Sequence, residues 1–209
     1  MRVLIAEEET GVVRDAFLAH GHDAMSCDIL PSRRPGPHYQ GDIRDVLYEH
    51  WDMLIFFAPC TYSSNSGVRW LYKNSGSGKR RIRDMKRWRL MVDGAQFFKM
   101  HLDCEHIPLI VGENPIPHKH ALKIIGRPYD QIIQPWQFGH GERKATCLWL
   151  KNVPKLMPTD IVTGREQRIW KMAPSPDRAR MRSETYLGIA QAMANLWSNL
   201  NPDDYRSIK

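Results

Sequence analysis

The sequence predicts an α/β fold with a mostly parallel β-sheet and helices on both of its faces. Three observations lead to this prediction. Short apolar runs suited to buried strands recur along the chain, segments with helical spacing alternate with them, and turn-forming residues separate the two. Strands that alternate with helices form parallel sheets with right-handed crossovers. A chain of 209 residues with 42% hydrophobic content suits one such domain.

The first predicted unit is a strand, a helix and a second strand. Arg2–Ala6 is a short apolar run, and the apolar residues of Gly11–Gly21 fall at helical spacing before a glycine that can end the helix. His22–Cys27 is the second predicted strand, and it closes at Asp28. A proline-rich loop then leads to Gly41-Asp42-Ile43, at the end of a possible third strand.

Two stronger apolar runs follow, and each is predicted to be a buried strand that a proline stops. The first is Met53–Cys60 and the second is Ile107–Pro115, with a helix predicted over roughly 90–102 between them.

The last part of the chain is predicted to be more irregular. Residues 127–144 are rich in Pro, Gln and Gly, 145–150 form a strand candidate, and 151–182 have little periodicity. Tyr186–Trp197 is a clear amphipathic helix. We therefore predict one domain over 1–197 and a tail over 198–209.

The formal net charge of +7 is concentrated in one segment. Lys79–Arg89 contains seven basic residues and one acid, and Trp70, Tyr72 and Trp88 flank or interrupt it. A local basic block with aromatic residues favours nucleic-acid binding, because arginine and lysine contact phosphates and aromatic rings stack on bases. A solvated helix face is the alternative. The contacts predicted within 73–89 are Lys79, Arg80, Arg81, Arg83, Lys86, Arg87 and Arg89.

Cysteine usage and hydropathy predict a cytoplasmic protein. Cys27, Cys60, Cys104 and Cys147 are widely spaced with no CxxC pair, which disfavours a disulfide framework or a zinc ribbon. The histidines match no standard zinc spacing, so no metal is expected. The initial apolar run is too short for a signal peptide, and no stretch approaches the roughly 18–20 apolar residues of a membrane span.

Reactive side chains stand at the ends of the two strongest predicted strands. Cys60 ends the first run, and Glu113 lies in Gly112-Glu113-Asn114-Pro115 at the end of the second. The carboxyl edge of a parallel sheet is where ligands bind, a thiol there can be a nucleophile, and a carboxyl in a dry pocket can carry a proton. Alone, each residue has a plain alternative, since a lone cysteine is often just a small buried residue and an acid after a strand is often a surface or capping group.

Three further positions suggest a cofactor that contains adenosine. The turn Ala6–Gly11 opens a helix, Asp28 could accept hydrogen bonds from ribose hydroxyls, and Asp42 could hold an adenine amino group. The glutamates at 7–9 would repel a pyrophosphate but suit a cationic, phosphate-free cofactor such as S-adenosylmethionine. An ordinary βαβ unit with surface acids is the alternative.

Taken together, Pro59-Cys60 and Glu113-Asn114-Pro115, 53 residues apart from cysteine to glutamate, resemble the catalytic motifs of DNA cytosine-5 methyltransferases. The chain also looks like small phage- and prophage-encoded members of this family. The resemblance implies a Rossmann-like, S-adenosylmethionine-dependent methyltransferase fold, a cytosine in DNA as the substrate, and the host cytoplasm as the location if a phage encodes the protein. It implies Cys60 as the nucleophile, Glu113 as the group that hydrogen-bonds the base, and Arg143 as a group that orients it. The cofactor contacts that it implies are Glu8, Thr10, Gly11, Asp28, Ile29, Asp42, Ile43 and Pro59.

The chain departs from the family pattern in three places. Ala58 precedes Pro59 where the family has Pro or Phe, and the turn at 7–11 has one glycine and no aromatic residue. Residues 151–182 provide only 32 positions where the family carries a target-recognition domain. Specificity is therefore expected to be low, or to come from the basic segment, from this loop or from a partner. Two alternatives follow: a pyrimidine C5-modifying enzyme acting on a free nucleotide or RNA, and a non-catalytic binding protein that retains the fold.

Overall fold

The computed structural model describes residues 1–74, 81–175 and 178–206. Its strands are β1 (Arg2–Ala6), β2 (Asp23–Asp28), β3 (His38–Gln40), β4 (Met53–Phe56), β5 (Tyr72–Asn74), β6 (Arg81–Arg83), β7 (Leu109–Pro115), β8 (Gln131–Ile133) and β9 (Thr146–Lys151). Its α-helices are α1 (Val12–Ala19), α2 (Met85–Leu102), α3 (Lys119–Ile125), α4 (Arg168–Lys171), α5 (Arg178–Ser183) and α6 (Leu187–Trp197).

Seven strands form one mixed sheet in the order β3-β2-β1-β4-β7-β9-β8, and β5 pairs with β6 in a separate antiparallel hairpin. The first five strands of that order are parallel, and β9 runs antiparallel to both of its neighbours. The prediction of an α/β fold with a mostly parallel sheet is confirmed. The order of connection reverses between β1 and β4, and the carboxyl ends of these two strands form the switch point, where ligands bind in open α/β sheets.

Helices cover both faces of the sheet, and side-chain alternation along the strands sorts the core into two layers. On one face Leu4, Leu54 and Ile110 join the apolar cluster that contains residues of α2 and α3. On the other face Val3 and Met53 join the cluster that contains residues of α1 and α6. Strands buried on both faces need apolar residues on both sides, which explains the apolar runs Val3–Ala6 of β1, Met53–Phe56 of β4 and Leu109–Val111 of β7.

The strand register places the candidate site residues at one edge. Ala6 pairs with Phe56, and Phe56 pairs with Gly112, so the residues that follow all three lie at the carboxyl edge. Gly112 is required there by packing, because a Cβ at this position would lie 2.5 Å from Cζ of Phe56 and 3.0 Å from Cζ of Phe98. As predicted, the strand that carries Glu113 ends at Pro115, and Glu113 lies in the last part of β7, which pairs with β9.

Helix α2 begins at Met85, five residues before the predicted start. The Asp84 carboxylate accepts a hydrogen bond from the Arg87 amide and caps the helix, so the second half of the basic segment is helical. Two short elements inside segments predicted to be irregular or left unassigned are α3, which His118 caps, and β8, which pairs with β9. Both depend on contacts with distant segments, and neither is long enough to show a periodic pattern.

The described part of the predicted tail is docked on the domain. Pro202–Tyr205 forms a 3-10 helix, and Arg206 makes an ion pair with Asp52, which precedes β4. Among the described residues, the helices are all too short or too polar to cross a membrane.

Candidate functional site

The loop that begins at Cys60 is bound to the segment that follows β7. The Cys60 carbonyl accepts hydrogen bonds from the amides of Ser63 (3.2 Å) and Ser64 (3.1 Å), which folds the chain back after β4. The Asn114 side-chain amide then donates to the Ser63 hydroxyl over 3.3 Å, and the Asn65 amide donates to the Ile116 carbonyl over 2.7 Å. The loop that follows Cys60 is therefore joined by direct hydrogen bonds to Asn114 and to Ile116, on the segment that carries Glu113.

His118, at the start of α3, also holds the loop that follows Cys60 in place. Its Nδ1 accepts a hydrogen bond from the Ala121 amide (3.1 Å), so the ring proton is on Nε2, which donates to the Tyr62 carbonyl (2.9 Å). The His118 amide donates to the Ser63 carbonyl over 3.0 Å. The ring is buried, and both of its nitrogens serve the fold.

Glu113 lines a narrow crevice whose free volume, about 10 Å³, is close to the space of one water molecule. Lys144 and Thr146 come from the start of β9, and Thr185 and Tyr186 come from the connection between α5 and α6. The full lining is Phe57, Glu113, Ile133, Lys144, Thr146, Thr185, Tyr186, Ile189 and Met193.

Charges in this crevice act on both candidate catalytic groups. Burial raises the pKa of the Cys60 thiol and the charge of Glu113 raises it further, while Lys144 and Arg182 oppose the shift. Burial also raises the pKa of Glu113, against Lys144 and a hydrogen bond to Thr146. Burial thus disfavours the charged form of both the Cys60 thiol and the Glu113 carboxyl. Lys144 is the cation that promotes ionisation of both.

Arg143 is predicted to orient the base, but Lys144 is the basic residue that lines the crevice beside Glu113. Arg143 is exposed, and its backbone amide donates to the Glu166 carbonyl over 2.8 Å. Lys144 Nζ donates to the Glu184 carbonyl over 3.2 Å and lies 5.7 Å from the centre of the Tyr186 ring. The sequence contains both cations side by side, and only the path of the chain into β9 decides which one faces Glu113.

Tyr186 links this crevice to a second cavity of about 240 Å³ that α4, α5 and the start of α6 help to enclose. Its hydroxyl donates to one Glu142 oxygen over 2.7 Å, and the other oxygen accepts two hydrogen bonds from Arg168. Burial raises the pKa of Glu142, but the hydrogen bonds from Arg168 and Tyr186 outweigh it and lower the pKa overall. The segment predicted as a loop over 151–182 is thus tied to the candidate site.

Several polar groups of the predicted cofactor turn, residues 6–11, form hydrogen bonds or ion pairs with other residues of the protein. One Glu8 oxygen accepts hydrogen bonds from the Thr10 hydroxyl and the Val12 amide, and burial raises the pKa of Glu8 to about 6. Gly11 has a φ of 73°, and a Cβ there would lie 2.5 Å from Nη2 of Arg14, so the glycine makes room for that buried guanidinium.

The other two glutamates of the turn are also engaged, but not completely. Glu7 contacts Nε2 of the buried His101 at 3.2 Å, and Glu9 forms an ion pair with Arg33. The second carboxylate oxygens of Glu7 and Glu8 are buried and have no hydrogen-bond partner among the described residues. Two orphaned carboxylate oxygens beside the switch point suit a positively charged ligand group.

The remaining predicted cofactor residues differ in their exposure and in how far their polar groups are already bonded. Asp28 is half-exposed, burial raises its pKa, and one of its oxygens accepts the Leu30 amide at 2.9 Å. Asp42 caps a 3-10 helix and pairs with Arg44 at 2.9 Å, which leaves it less free to bind an adenine amino group than predicted. Ile43 is buried, whereas Ile29 and Pro59 are exposed.

Most of the predicted nucleic-acid contacts lie on the hairpin and on the first turns of α2. Arg81 and Arg83 are exposed on β6, and Lys86 and Arg89 are exposed on α2. The guanidinium of Arg87 lies 5.1 Å from the centre of the Tyr62 ring, which connects α2 with the Cys60 loop. Lys79 and Arg80 lie outside the described residues.

Comparison with known proteins gave no relative: no protein-family model matches this sequence, and no curated protein matches it. Within the described ranges, no group of three or more His, Cys, Asp or Glu residues has the geometry of a metal site.

Proposed function

We propose that this protein methylates C5 of cytosine in DNA through a covalent adduct with Cys60. The observation that carries the proposal is the junction between the Cys60 loop and the Glu113 strand, which Asn114 and Ser63 close at the carboxyl edge of the sheet. A thiol, a buried carboxyl whose pKa is raised, and a lysine act on one another there. These are the groups that nucleophilic activation of a pyrimidine ring requires.

The chemistry begins with the thiol. Cytosine C5 is a poor nucleophile, but addition of the Cys60 thiolate to C6 forms an S–C6 bond and moves the C5=C6 electron pair onto C5. Lys144 stabilises the thiolate, and the protonated Glu113 carboxyl donates to N3, where negative charge develops. Once C5 carries the methyl group, a water molecule takes the C5 proton, the electrons of the C5–H bond re-form the C5=C6 bond, and the thiolate leaves C6. N3 returns its proton to the Glu113 carboxylate.

The residues of the switch point fit S-adenosylmethionine as the methyl donor. The orphaned oxygens of Glu7 and Glu8 would hold its positive charge, and the half-exposed Asp28 would accept hydrogen bonds from its ribose hydroxyls. When bound, this cofactor supplies an electrophilic methyl group. Asp42, already paired with Arg44, contributes less than the sequence predicts.

Access to Glu113 requires a movement. A crevice of about 10 Å³ does not hold a cytosine, and Thr185 and Tyr186 form part of its wall. The connection between α5 and α6 must therefore shift when the base enters. The base must also leave its stack, at a cost of about a few kcal/mol in a duplex.

Tritium transfer from labelled S-adenosylmethionine to DNA tests the proposal. Cys60→Ser and Glu113→Gln should abolish transfer, because they remove the nucleophile and the proton donor. Cys104→Ser is the matched control, since this buried thiol donates to the Met100 carbonyl before β7, at the opposite edge of the sheet. Transfer that persists in Cys60→Ser would refute the assigned nucleophile.

A second candidate is C5 modification of a free pyrimidine nucleotide. It is favoured by residues 151–182, whose described part contains only the short helices α4 and α5 and no separate recognition domain. Transfer to deoxycytidine monophosphate but not to DNA would support this candidate over the first.

A further inference from the structure

Arginine and aromatic side chains form a connected cluster on the hairpin and its neighbours, in which Trp70 is exposed and Tyr72 and Trp88 are half-buried. The guanidinium of Arg69 lies 4.6 Å from the Trp70 ring, that of Arg81 lies 5.4 Å from the Tyr72 ring, and that of Arg83 lies 4.4 Å from the Trp88 ring. We call this cluster the arginine–aromatic ladder, and it consists of Arg69, Trp70, Tyr72, Arg81, Arg83 and Trp88.

The members of the ladder are connected to one another. Arg81 donates to the Arg69 carbonyl over 2.8 Å, and the rings of Tyr72 and Trp88 meet edge to face with their centres 6.0 Å apart. Four of the eight cation–π pairs among the described residues lie here, since Arg87 and Tyr62 form a pair beside the three of the ladder. This concentration in one segment marks a specialised surface.

The ladder adjoins the candidate catalytic loop. Tyr62 stands two residues after Cys60, and its carbonyl accepts the hydrogen bond from His118. The 3-10 helix that carries Arg69 and Trp70 spans Asn65–Leu71, and its first residue donates to the Ile116 carbonyl. A chain bound along the ladder would therefore reach the loop that positions Cys60.

We propose that the ladder binds single-stranded nucleic acid and that the proposed cytosine substrate is presented on a single strand. The Trp70 side chain is 54% exposed, although an indole of this size is usually buried. A duplex offers phosphates and the edges of its bases, whereas a single strand also offers the faces of its bases. Aromatic rings between arginines suit a single strand, because the rings stack on base faces while the guanidinium groups contact the phosphate backbone.

This inference rests on the proposed function for the identity of the target base, but the binding itself needs neither cofactor nor catalysis. The target base of a single strand is already unpaired, which lowers the cost of bringing it to Glu113. The ladder would then take over part of the role of the recognition domain that 151–182 is too short to form.

Fluorescence anisotropy of one labelled DNA oligonucleotide, offered alone and annealed to its complement, tests the inference. An oligonucleotide of roughly 20 nucleotides exceeds the ~4–16 nucleotides that known single-strand folds cover. The single strand should bind at least about tenfold more tightly than the duplex. Trp70→Ala should weaken single-strand binding about 5- to 160-fold, the range for loss of one stacked base, and Trp70→Phe should restore most of it.

The matched control is Tyr48→Ala. Tyr48 is 71% exposed and stacks on His106, and both residues precede strands, at the opposite edge of the sheet from Cys60. Duplex binding equal to or tighter than single-strand binding would overturn the inference. So would a Trp70→Ala effect no larger than that of Tyr48→Ala, with both variants folded by circular dichroism. Single-strand binding without methyl transfer would leave this inference standing and contradict the proposed function instead.

Discussion

The side-chain amide of Asn114 donates a hydrogen bond to the hydroxyl of Ser63 over 3.3 Å, and both side chains are buried. Asn114 belongs to β7, one residue after Glu113, and Ser63 lies three residues after Cys60. This bond connects the two segments that carry the candidate nucleophile and the candidate acid. Their relative position therefore depends on a contact between two residues that have no chemical role themselves.

Asn114→Ala should destabilise the fold by about 1–3 kcal/mol, because it leaves the buried Ser63 hydroxyl without its donor. Urea unfolding of Asn114→Ala, Ser63→Ala and the double variant measures the coupling, which we expect at about 1 kcal/mol. Methyl transfer should fall in both single variants. Fully additive unfolding free energies would show that the bond does not join the two segments in solution.

Lys144→Ala should raise the pKa of the Cys60 thiol above its present, already raised value, because the lysine charge stabilises the thiolate. The rate of Cys60 alkylation by iodoacetamide across a pH series reports this pKa. Cys60 suits the measurement because Cys27, Cys104 and Cys147 are buried. Arg143→Ala is the neighbouring control and should leave the alkylation profile unchanged. A larger shift of the Cys60 pKa in Arg143→Ala than in Lys144→Ala would mean that Arg143, and not Lys144, faces the site.

Glu8 should make stability depend on pH. Its pKa is raised from 4.5 to about 6 by burial, so the folded protein binds this proton more tightly than the unfolded chain. The contribution is fully present below pH 4.5 and is lost as the pH rises through 6, by about 2 kcal/mol in total. Glu8→Gln keeps an acceptor for the Val12 amide and removes the titration. The free energy of unfolding of Glu8→Gln minus that of the native protein should therefore be about 2 kcal/mol larger at pH 8 than at pH 4. The same difference at pH 8 and at pH 4 would contradict the raised pKa of Glu8.

Gly112→Ala should destabilise the protein by about 1–3 kcal/mol, the usual range for an overpacked core. The added methyl group would lie 2.5 Å from Phe56 and would displace β7 just before Glu113. Gly94→Ala is the control, because a Cβ on this residue of α2 meets nothing within 4 Å. There alanine should stabilise the helix by about 0.5–1 kcal/mol. Thermal unfolding of the two variants should therefore shift in opposite directions.

Sequence patterns predict most of the fold because burial on both faces leaves a strong signal. β1, β4 and β7 each contain a run of three or four apolar residues, and α6 has a clear apolar face. Elements held by distant partners leave little signal. β8 has three residues and exists only through β9, and α3 begins where the His118 ring accepts the Ala121 amide.

The candidate site follows the same division. Cys60 and Glu113 are predictable because each stands near the end of an apolar strand, and the carboxyl ends of parallel strands share one edge. The role of Lys144 is not predictable, because Arg143 and Lys144 are adjacent and only the path of the chain into β9 decides which of them lies beside Glu113. The contacts that Glu8, Gly11 and Asp42 make within the protein are also not predictable from the sequence. Glu8 and Asp42 bond to backbone amides at the starts of helices, and Gly11 packs against Arg14.

The most direct test of the account is a covalent trap. An oligonucleotide with 5-fluorocytosine, supplied as a single strand and as a duplex together with S-adenosylmethionine, cannot complete the reaction because fluorine does not leave C5 as a proton does. Mass spectrometry of the digested protein should find the oligonucleotide attached to the peptide that contains Cys60, and no adduct should form in Cys60→Ser. An adduct on a different residue, or methyl transfer to ordinary cytosine by Cys60→Ser, would contradict the account.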